Sequence, residues 1–389
     1  MKCELTVSGR DKPGCSQRAC NKNFFLNLTC LLKTSTNYGA TGQQQNKQNG
    51  NPLVLTPLIF RAALGLHIQD TELASLYHAP PILRHTGNRH FYACENEVFT
   101  APDAESWAKA ILAHPPSQYT FREWFMDRTQ NWAQEGMPAD RRDTIPDPQD
   151  EFTLYIMLVG IQAQVCEACE LGTLFMPMTQ EEILRLLLAW YKSYSQYCAL
   201  HQVVPSSSPF CLMILWHSIF VSLFSNIHDL EIAFGSSGAK EALHKSGDAV
   251  KWAISIDAKR AAAHVIRIRR LLSSLPISTI PAIHIPRIAF QSAIVLWCYF
   301  RFRDGSVAHL EVDSAEWHSV AMWKEFADVG LDARELLREL GRVRSGFGAE
   351  QPLSAFSEIL QRLGYWGLSK KLGDILNVAI HEETDVSGV

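Results

Sequence analysis

The sequence has no histidine before His67, no charged-then-apolar leader and no internal repeat of fixed period. Met1 to Lys22 is polar throughout, so no secretory signal is expected there. The missing repeat disfavours a helical solenoid. Strand-like alternation is nearly absent as well. His90 to Phe99 is the one serious stretch of it, and the chain is expected to be all-α. Charged residues make up 20% of 389 residues and hydrophobic ones 47%. That is the balance of a soluble globular chain, long enough for two or three domains or for one large helical domain with appendages.

The net charge of -4 is unevenly spread: the first 50 residues hold seven basic and two acidic side chains, which leaves -9 on the remainder. A body that acidic is a poor polyanion binder, so nucleic-acid contact is expected only from the N-terminal end or from sequence beyond this chain. Residues 1–50 are rich in Gly, Ser, Thr, Asn and Gln, end in the tract Gly42 to Gly50, and read as disordered. Within them Cys15, Cys20, Phe24 or Phe25, and Leu31 approach the spacing of a two-cysteine, two-histidine zinc finger. Lys33 and Thr34 stand where the first histidine would close the tetrahedral site. Cys15 and Cys20 are therefore vestigial metal candidates. The other cysteines mostly fall inside apolar helices, as core thiols in a reducing, intracellular compartment.

What is present is helical signal, centred on Trp252 to Arg303. Ala261, Val265, Ile268, Leu272 and Leu275 recur at 4-3-4-3 spacing as one apolar stripe, with Arg260, Arg267 and Arg270 on another side. A proline-rich link, Pro276 to Pro286, leads to a second helix, Arg287 to Phe302, whose only polar interruptions are Gln291 and Ser292. A helix with no polar face belongs inside a large core or a bilayer. The best membrane candidate, Phe210 to Ile227, contains His217, Ser218, Ser222, Ser225 and Asn226, so a core helix is expected there too, and no membrane contact. Start signals are read at Thr56-Pro57 and, with capping-box spacing, at Thr120/Glu123, Thr179/Glu182 and Asp332/Glu335. Leu154, Leu158, Ile161, Val165 and Ala168 form a further stripe, and Ile183, Leu187, Trp190, Tyr194 and Tyr197 another. Linkers are expected at Pro138 to Asp150, Val204 to Pro209, Gly235 to Gly247, Pro276 to Pro286 and Ser345 to Pro352.

Candidate chemistry is thin. Cys166 and Cys169 form a CxxC inside an apolar stripe, without the second pair zinc wants or the strand-to-helix start a redox site wants. Asp143, Asp147 and Asp150 lie in a proline-broken stretch with no second acidic motif, and read as a solvated linker rather than a magnesium site. His228, Asp229 and Glu231 read as helix-end charges. Gly235 to Lys240 fails the phosphate-loop spacing and reads as a turn. Arg267, Arg269 and Arg270 read as a solvated face, and His284 as a link residue. No nucleophile, base and orienting group assemble, so an enzyme, a catalytic residue and a bound cofactor are not expected. The alternative is a small-molecule sensor or helical enzyme with an inter-helix pocket, which a buried polar cluster around His217, His228 or His284 would favour.

Several stretches, taken in order, resemble the regulatory domain of fungal-specific transcription factors of the xylanolytic-activator type. They are Asp229-Leu-Glu-Ile-Ala-Phe-Gly235, Trp252, Ala258-Lys-Arg-Ala-Ala-Ala-His264, His284-Ile-Pro286, Leu296-Trp297 and the ending Gly364-Tyr-Trp-Gly-Leu-Ser-Lys370. The likeness runs loosely from about Leu53 to about Ile380. It is to the class usually preceded by two-cysteine, two-histidine fingers. The resemblance implies a nuclear regulator of RNA polymerase II transcription, with residues 51–310 as the regulatory domain and 311–389 as a helical segment packed on it. Trp252, His264, Pro286, Trp297 and Trp366 would hold the central helices and the tail together. Implied partners are the transcription machinery or other regulators, with a homodimer as an option. DNA would enter only through a missing or degenerate N-terminal module and zinc only through an intact finger upstream, and sequence-specific DNA binding by this chain itself is not expected.

Overall fold

The structure, a computed structural model, describes residues 52–83, 96–114, 119–132, 148, 150–204, 208–276, 280–303, 323–346, 350–364 and 367–387. The side chains of 52–60, 129–132, 343–346, 350 and 382–387 are outside that description, as are Cys15, Cys20, Asp143, Asp147 and Trp366. The protein is all-α: the described residues form fifteen helices and no strand. Of the strand-like stretch His90 to Phe99, the last four residues are a helical turn.

The chain divides into two compact units at Glu167/Ala168. The expected 51–310 span crosses that division, and residues 168–310 share one unit with the described part of 311–389. The first unit contains α1 (Pro52–Tyr77), α2 (Asn96–Phe99), α3 (Ala104–Ala113), α4 (Phe121–Trp132) and most of α5 (Glu151–Glu170). Helix α1 already runs through Thr56 and Pro57, so these are not its cap. The Thr120/Glu123 capping box closes in both directions. Glu123 donates its N–H to Thr120 Oγ1 (3.2 Å), and Thr120 donates its N–H to Glu123 Oε2 (2.8 Å). The hydrophobic side that follows is buried through Phe121, Trp124 and Phe125. Asp150, expected in a solvated linker, is instead buried and caps α5, accepting the Thr153 N–H at 2.9 Å. Arg61 lies 3.8 Å from its carboxylate, with the guanidinium over the Phe99 and Phe152 rings. Helix α5 is buried nearly all round, not along one stripe.

The second unit is built on α11 (Ile285–Phe302), the apolar rod expected from sequence. Fifteen of its 18 residues are buried. Around it pack α7 (Leu212–Phe224), α8 (Ile227–Phe234), α9 (Ala239–Ala253), α10 (Ile256–Ser274), α14 (Glu350–Arg362) and α15 (Gly367–Ser387). Pro286 sits in the first turn of α11, where its missing donor costs nothing. Helix α6 (Pro177–His201), α12 (Lys324–Ala327) and α13 (Ala333–Gly346) complete the unit.

Several expected boundaries move. Helix α6 begins at Pro177 rather than at the Thr179/Glu182 box, because a proline preset for the helix needs no side-chain cap. Trp252 ends α9 instead of opening the next helix. Ser255 caps α10 by accepting the Ala258 N–H at 3.1 Å. The Gly235 to Gly247 linker shrinks to the turn before Ala239, since Ala249 and Ala253 give α9 a buried side that outweighs its small polar residues. Gly235 ends α8 at φ +113, with the Ser236 N–H reaching back to the Glu231 carbonyl (3.0 Å), a conformation that favours glycine. Ser345 to Pro352 is helical at both ends. The membrane candidate Phe210 to Ile227 contains a helix of only 13 residues, α7, well short of the ~20 a span needs. It stops where Asn226 leaves the helix to cap α8. Among the described residues α5 alone is long and apolar enough to cross a membrane, and 78% of that window is buried in the protein.

Candidate functional site

The polar chemistry of the second unit gathers along α10. It carries His264, fully buried and 2.9 Å, Nδ1 to Nδ1, from the equally buried His217 of α7. Only one proton can occupy that contact. One ring therefore donates from Nδ1 and has a bare Nε2, while the other accepts at Nδ1 and keeps its proton on Nε2. Neither Nε2 has a partner. The site thus holds a buried N–H without an acceptor, at a cost of about 1–3 kcal/mol. Aromatic rings seal it. His264 stacks on Phe220 (centroids 4.5 Å apart, 5° between planes) and on Phe326 (4.4 Å), and Trp216 meets His217 edge-on. Burial first, then the Arg267 charge, lowers the His217 pKa to about 3. Burial, then His217 and Arg260, holds His264 well below the ordinary range. Two neutral imidazoles shut from solvent contribute packing and tautomeric order.

The cations of α10 are tied down, Arg260 one turn before His264 on the same side of the helix. Arg260 donates from Nε to Glu325 Oε1 at 2.7 Å, and its guanidinium lies 3.8 Å over Phe224. The Glu325 side chain is only 1% exposed, so Arg260 supplies the counter-charge a buried carboxylate requires. Two turns on, Arg269 Nη2 meets Glu339 Oε1 (3.2 Å), and Arg270 forks from Nε to Glu339 Oε2 (2.7 Å) and from Nη2 to Glu335 Oε1 (2.8 Å). Glu335 and then Glu339 raise the Arg270 pKa, whereas burial and then Arg270 lower that of Arg267. Arg269 and Arg270 form a seam against α13 rather than the solvated face read from sequence, because Glu335 and Glu339 project toward α10 one turn apart. Asp332 opens α13 as expected, accepting the Arg334 N–H at 2.9 Å, but Glu335 is drawn into this seam. Beside the seam, a cleft of about 530 Å³ opens between α10 and α14, lined by Arg269, Arg270, Ser273, Ala355, Glu358, Ile359 and Arg362.

The remaining sequence candidates disperse. Cys166 is a half-buried thiol 3.4 Å from Ser75 Oγ, and Cys169, expected in the core, is exposed at the end of α5, its pKa raised by partial desolvation and then by the Asp229 charge. Asp229 pairs with Lys245 at 2.9 Å, Glu231 accepts from Gln291 at 3.4 Å, and His228 is exposed. No group of three metal-ligating side chains occurs among the described residues. His284 is buried at the start of α11, its pKa lowered to about 3 by burial and then by Arg287, against a hydrogen bond with the Cys211 backbone. Of the three histidines at which a buried polar cluster would favour the sensor alternative, His217 has one buried polar partner, His264, while His228 is exposed. Trp252 donates from Nε1 to the Phe224 carbonyl (3.0 Å), and Trp297 meets Phe234 edge-on at 5.0 Å.

Three features escaped the sequence reading: the His217–His264 pair, the Arg260–Glu325 bridge, and Arg287, which is 1% exposed and donates to Gln291 at 2.9 Å. Arg287 and Gln291, four apart on an otherwise apolar helix, were the available signal; residues 65 apart, as in Arg260–Glu325, leave none. No protein-family model, curated protein or solved structure matches the chain.

Proposed function

We propose that this chain is a non-catalytic, nuclear transcriptional regulator of the fungal type, acting through its helical body as a protein-interaction and regulatory domain. One observation carries the reading. The stretches that resemble the fungal regulatory domain, at 229–235, 252, 258–264, 284–286 and 296–297, fall in a single unit and pack on one another. Trp252 fastens α9 to the end of α7, Phe234 of α8 meets Trp297 of α11, and Cys298 hydrogen-bonds the Leu230 carbonyl at 3.6 Å. Their order along the chain is also their neighbourhood in space. The fully sealed His217–His264 pair supports a structural rather than a catalytic centre.

The test is to fuse the full chain to a heterologous DNA-binding module and measure a reporter carrying that module's site in a fungal host. Expression should rise or fall relative to the module alone. An unchanged reporter, with the fusion folded and nuclear, would overturn the proposal. A gel-shift on the unfused chain should show no tight, salt-sensitive, zinc-dependent binding to duplex DNA. A second reading, a helical small-molecule sensor, is favoured by the α10–α14 cleft, whose volume lies within the ~300–1,000 Å³ of ligand sites.

A further inference from the structure

The cleft between α10 and α14 carries three arginines held by partners and one carboxylate, Glu358, with no ion pair among the described residues. Glu358 and Arg362 stand four residues apart on α14, the spacing at which such residues ordinarily pair on a helix. They do not pair. Arg362 turns across the cleft and donates from Nη2 to the Leu272 carbonyl near the end of α10, at 2.7 Å. Glu358 is exposed and makes no ion pair among the described residues. On the opposite wall Arg269 and Arg270 are fixed by Glu339, with side chains 27% and 35% exposed. Among the described residues Arg269 bonds through Nη2, Arg270 through Nε and Nη2, and Arg362 through Nη2, which leaves the other guanidinium N–H groups for a ligand. Ser273 adds a hydroxyl, and Ile359 and Ala355 an apolar floor.

We propose that this cleft binds a small amphoteric molecule, an oxyanion at one end and an ammonium at the other. The oxyanion sits against the guanidinium groups of Arg269, Arg270 and Arg362. The ammonium sits against Glu358. Pre-fixed guanidinium forks suit carboxylate and phosphate oxygens, and the immobilisation of Arg269 and Arg270 by Glu339 has been met in folding. Glu358 decides the ligand class. A plain anion meets its repulsion, whereas a ligand with a cationic end gains from it. The volume, about 530 Å³, accommodates a molecule the size of a phosphorylated amine or a dipeptide. The assignment rests on the sensor reading and is independent of the reporter experiment.

Isothermal titration of the full chain at constant ionic strength, with O-phosphoethanolamine and with inorganic phosphate, tests it. Both should bind saturably at one site, phosphoethanolamine more tightly. Arg362→Gln should weaken both by about tenfold or more, the loss expected for a charge-assisted hydrogen bond. Glu358→Gln should strengthen phosphate and erase the preference for phosphoethanolamine. This variant changes an exposed side chain, so the test survives if Arg362→Gln does not fold. A preference unchanged in Glu358→Gln overturns the proposal, as does competition by a duplex oligonucleotide. If neither probe binds while an uncharged polyol of similar size does, the charge assignment fails and the sensor reading stands. If none of the three binds, both fail.

Discussion

His217 and His284 are buried as neutral imidazoles, each with its pKa lowered from 6.5 to about 3, and His264 shifts in the same direction. In mild acid the unfolded chain therefore takes up protons that the folded second unit refuses. Their contribution is complete above pH 6.5 and is lost as pH falls from there toward about 3. Each such histidine gives a slope of ~1.4 kcal/mol per pH unit, so at about pH 5 His217 and His284 together remove about 4 kcal/mol, and His264 adds to the loss. Asp257 works the other way: burial raises its pKa despite Arg260, so protonation favours the folded state and offsets part of the fall. Against a typical total of about 5–15 kcal/mol, the net change is large. Urea denaturation followed by tryptophan fluorescence, from about pH 8 to about pH 5, should show the stability of this unit dropping steeply. In the double variant His217→Leu/His264→Phe, which replaces both polar partners by apolar groups of related shape, the drop should be visibly shallower, with His284 still contributing. A flat profile, or an identical slope in the double variant, would refute the reasoning.

Trp297→Ala should cost about 3–5 kcal/mol in the same urea experiment, because the indole is 8% exposed and wedged against Phe234; an unchanged midpoint would remove Trp297 from the core. Arg260→Met should cost about 3–5 kcal/mol by stranding the buried Glu325 carboxylate. Arg260→Met/Glu325→Leu should recover most of it, and a double variant no more stable than the single would contradict the pairing. Gly235→Ala, at φ +113, should lower stability by about 1–2 kcal/mol on thermal denaturation. Thr120→Ala should cost about 1 kcal/mol, read from unfolding of the first unit, and a neutral result would mean the cap there is dispensable.

The fold class and its central helix were legible because they rest on local pattern. Arg287 to Phe302 has no polar stripe, and a helix of that kind is buried whatever surrounds it. The Thr120/Glu123 box was legible for the same reason, since all its atoms lie within four residues. Thr179/Glu182 has equal spacing and failed, because Pro177 two residues earlier starts the helix first. Gly235 to Gly247 read as a linker from composition, yet Ala249 and Ala253 bury against neighbours that composition does not name. Asp150 looked solvated amid prolines, but capping is decided by which N–H groups lie three residues on, and burial by Arg61, 89 residues earlier in the sequence. The candidate site was mostly illegible. The arginines of α10 were visible as a group; their carboxylate partners come from 65 to 70 residues later, and the cleft exists only once α14 folds back beside them.

Helix α10 shows how the core and the cleft are joined. Ala258, Ala261, Ala262, Ala263, His264, Val265, Ile266, Ile268 and Leu272 have no measurable exposure, so the run 261–266 is covered on every side. Small residues there let α7 and α11 approach closely, so α10 has little freedom to shift without opening voids, which cost in proportion to their volume. Its C-terminal part places Arg269 and Arg270 in fixed register with Glu339, while Arg362 grips the Leu272 carbonyl from α14. An occupant drawing those guanidinium groups toward itself therefore competes first with Glu339, Glu335 and the Leu272 carbonyl, and only afterwards with the core. The easier movement is of α13 relative to α10, since partly exposed ion pairs yield at a cost of roughly 0–1 kcal/mol each, whereas α14, packed into the core through Leu353, Phe356 and Leu360, yields at several like α10 itself. Any response to binding should thus appear as altered hydrogen-exchange protection in 333–346, with 256–272 and 350–362 unchanged. Deprotection spreading through 256–272 would show that the wall gives way before the seam does.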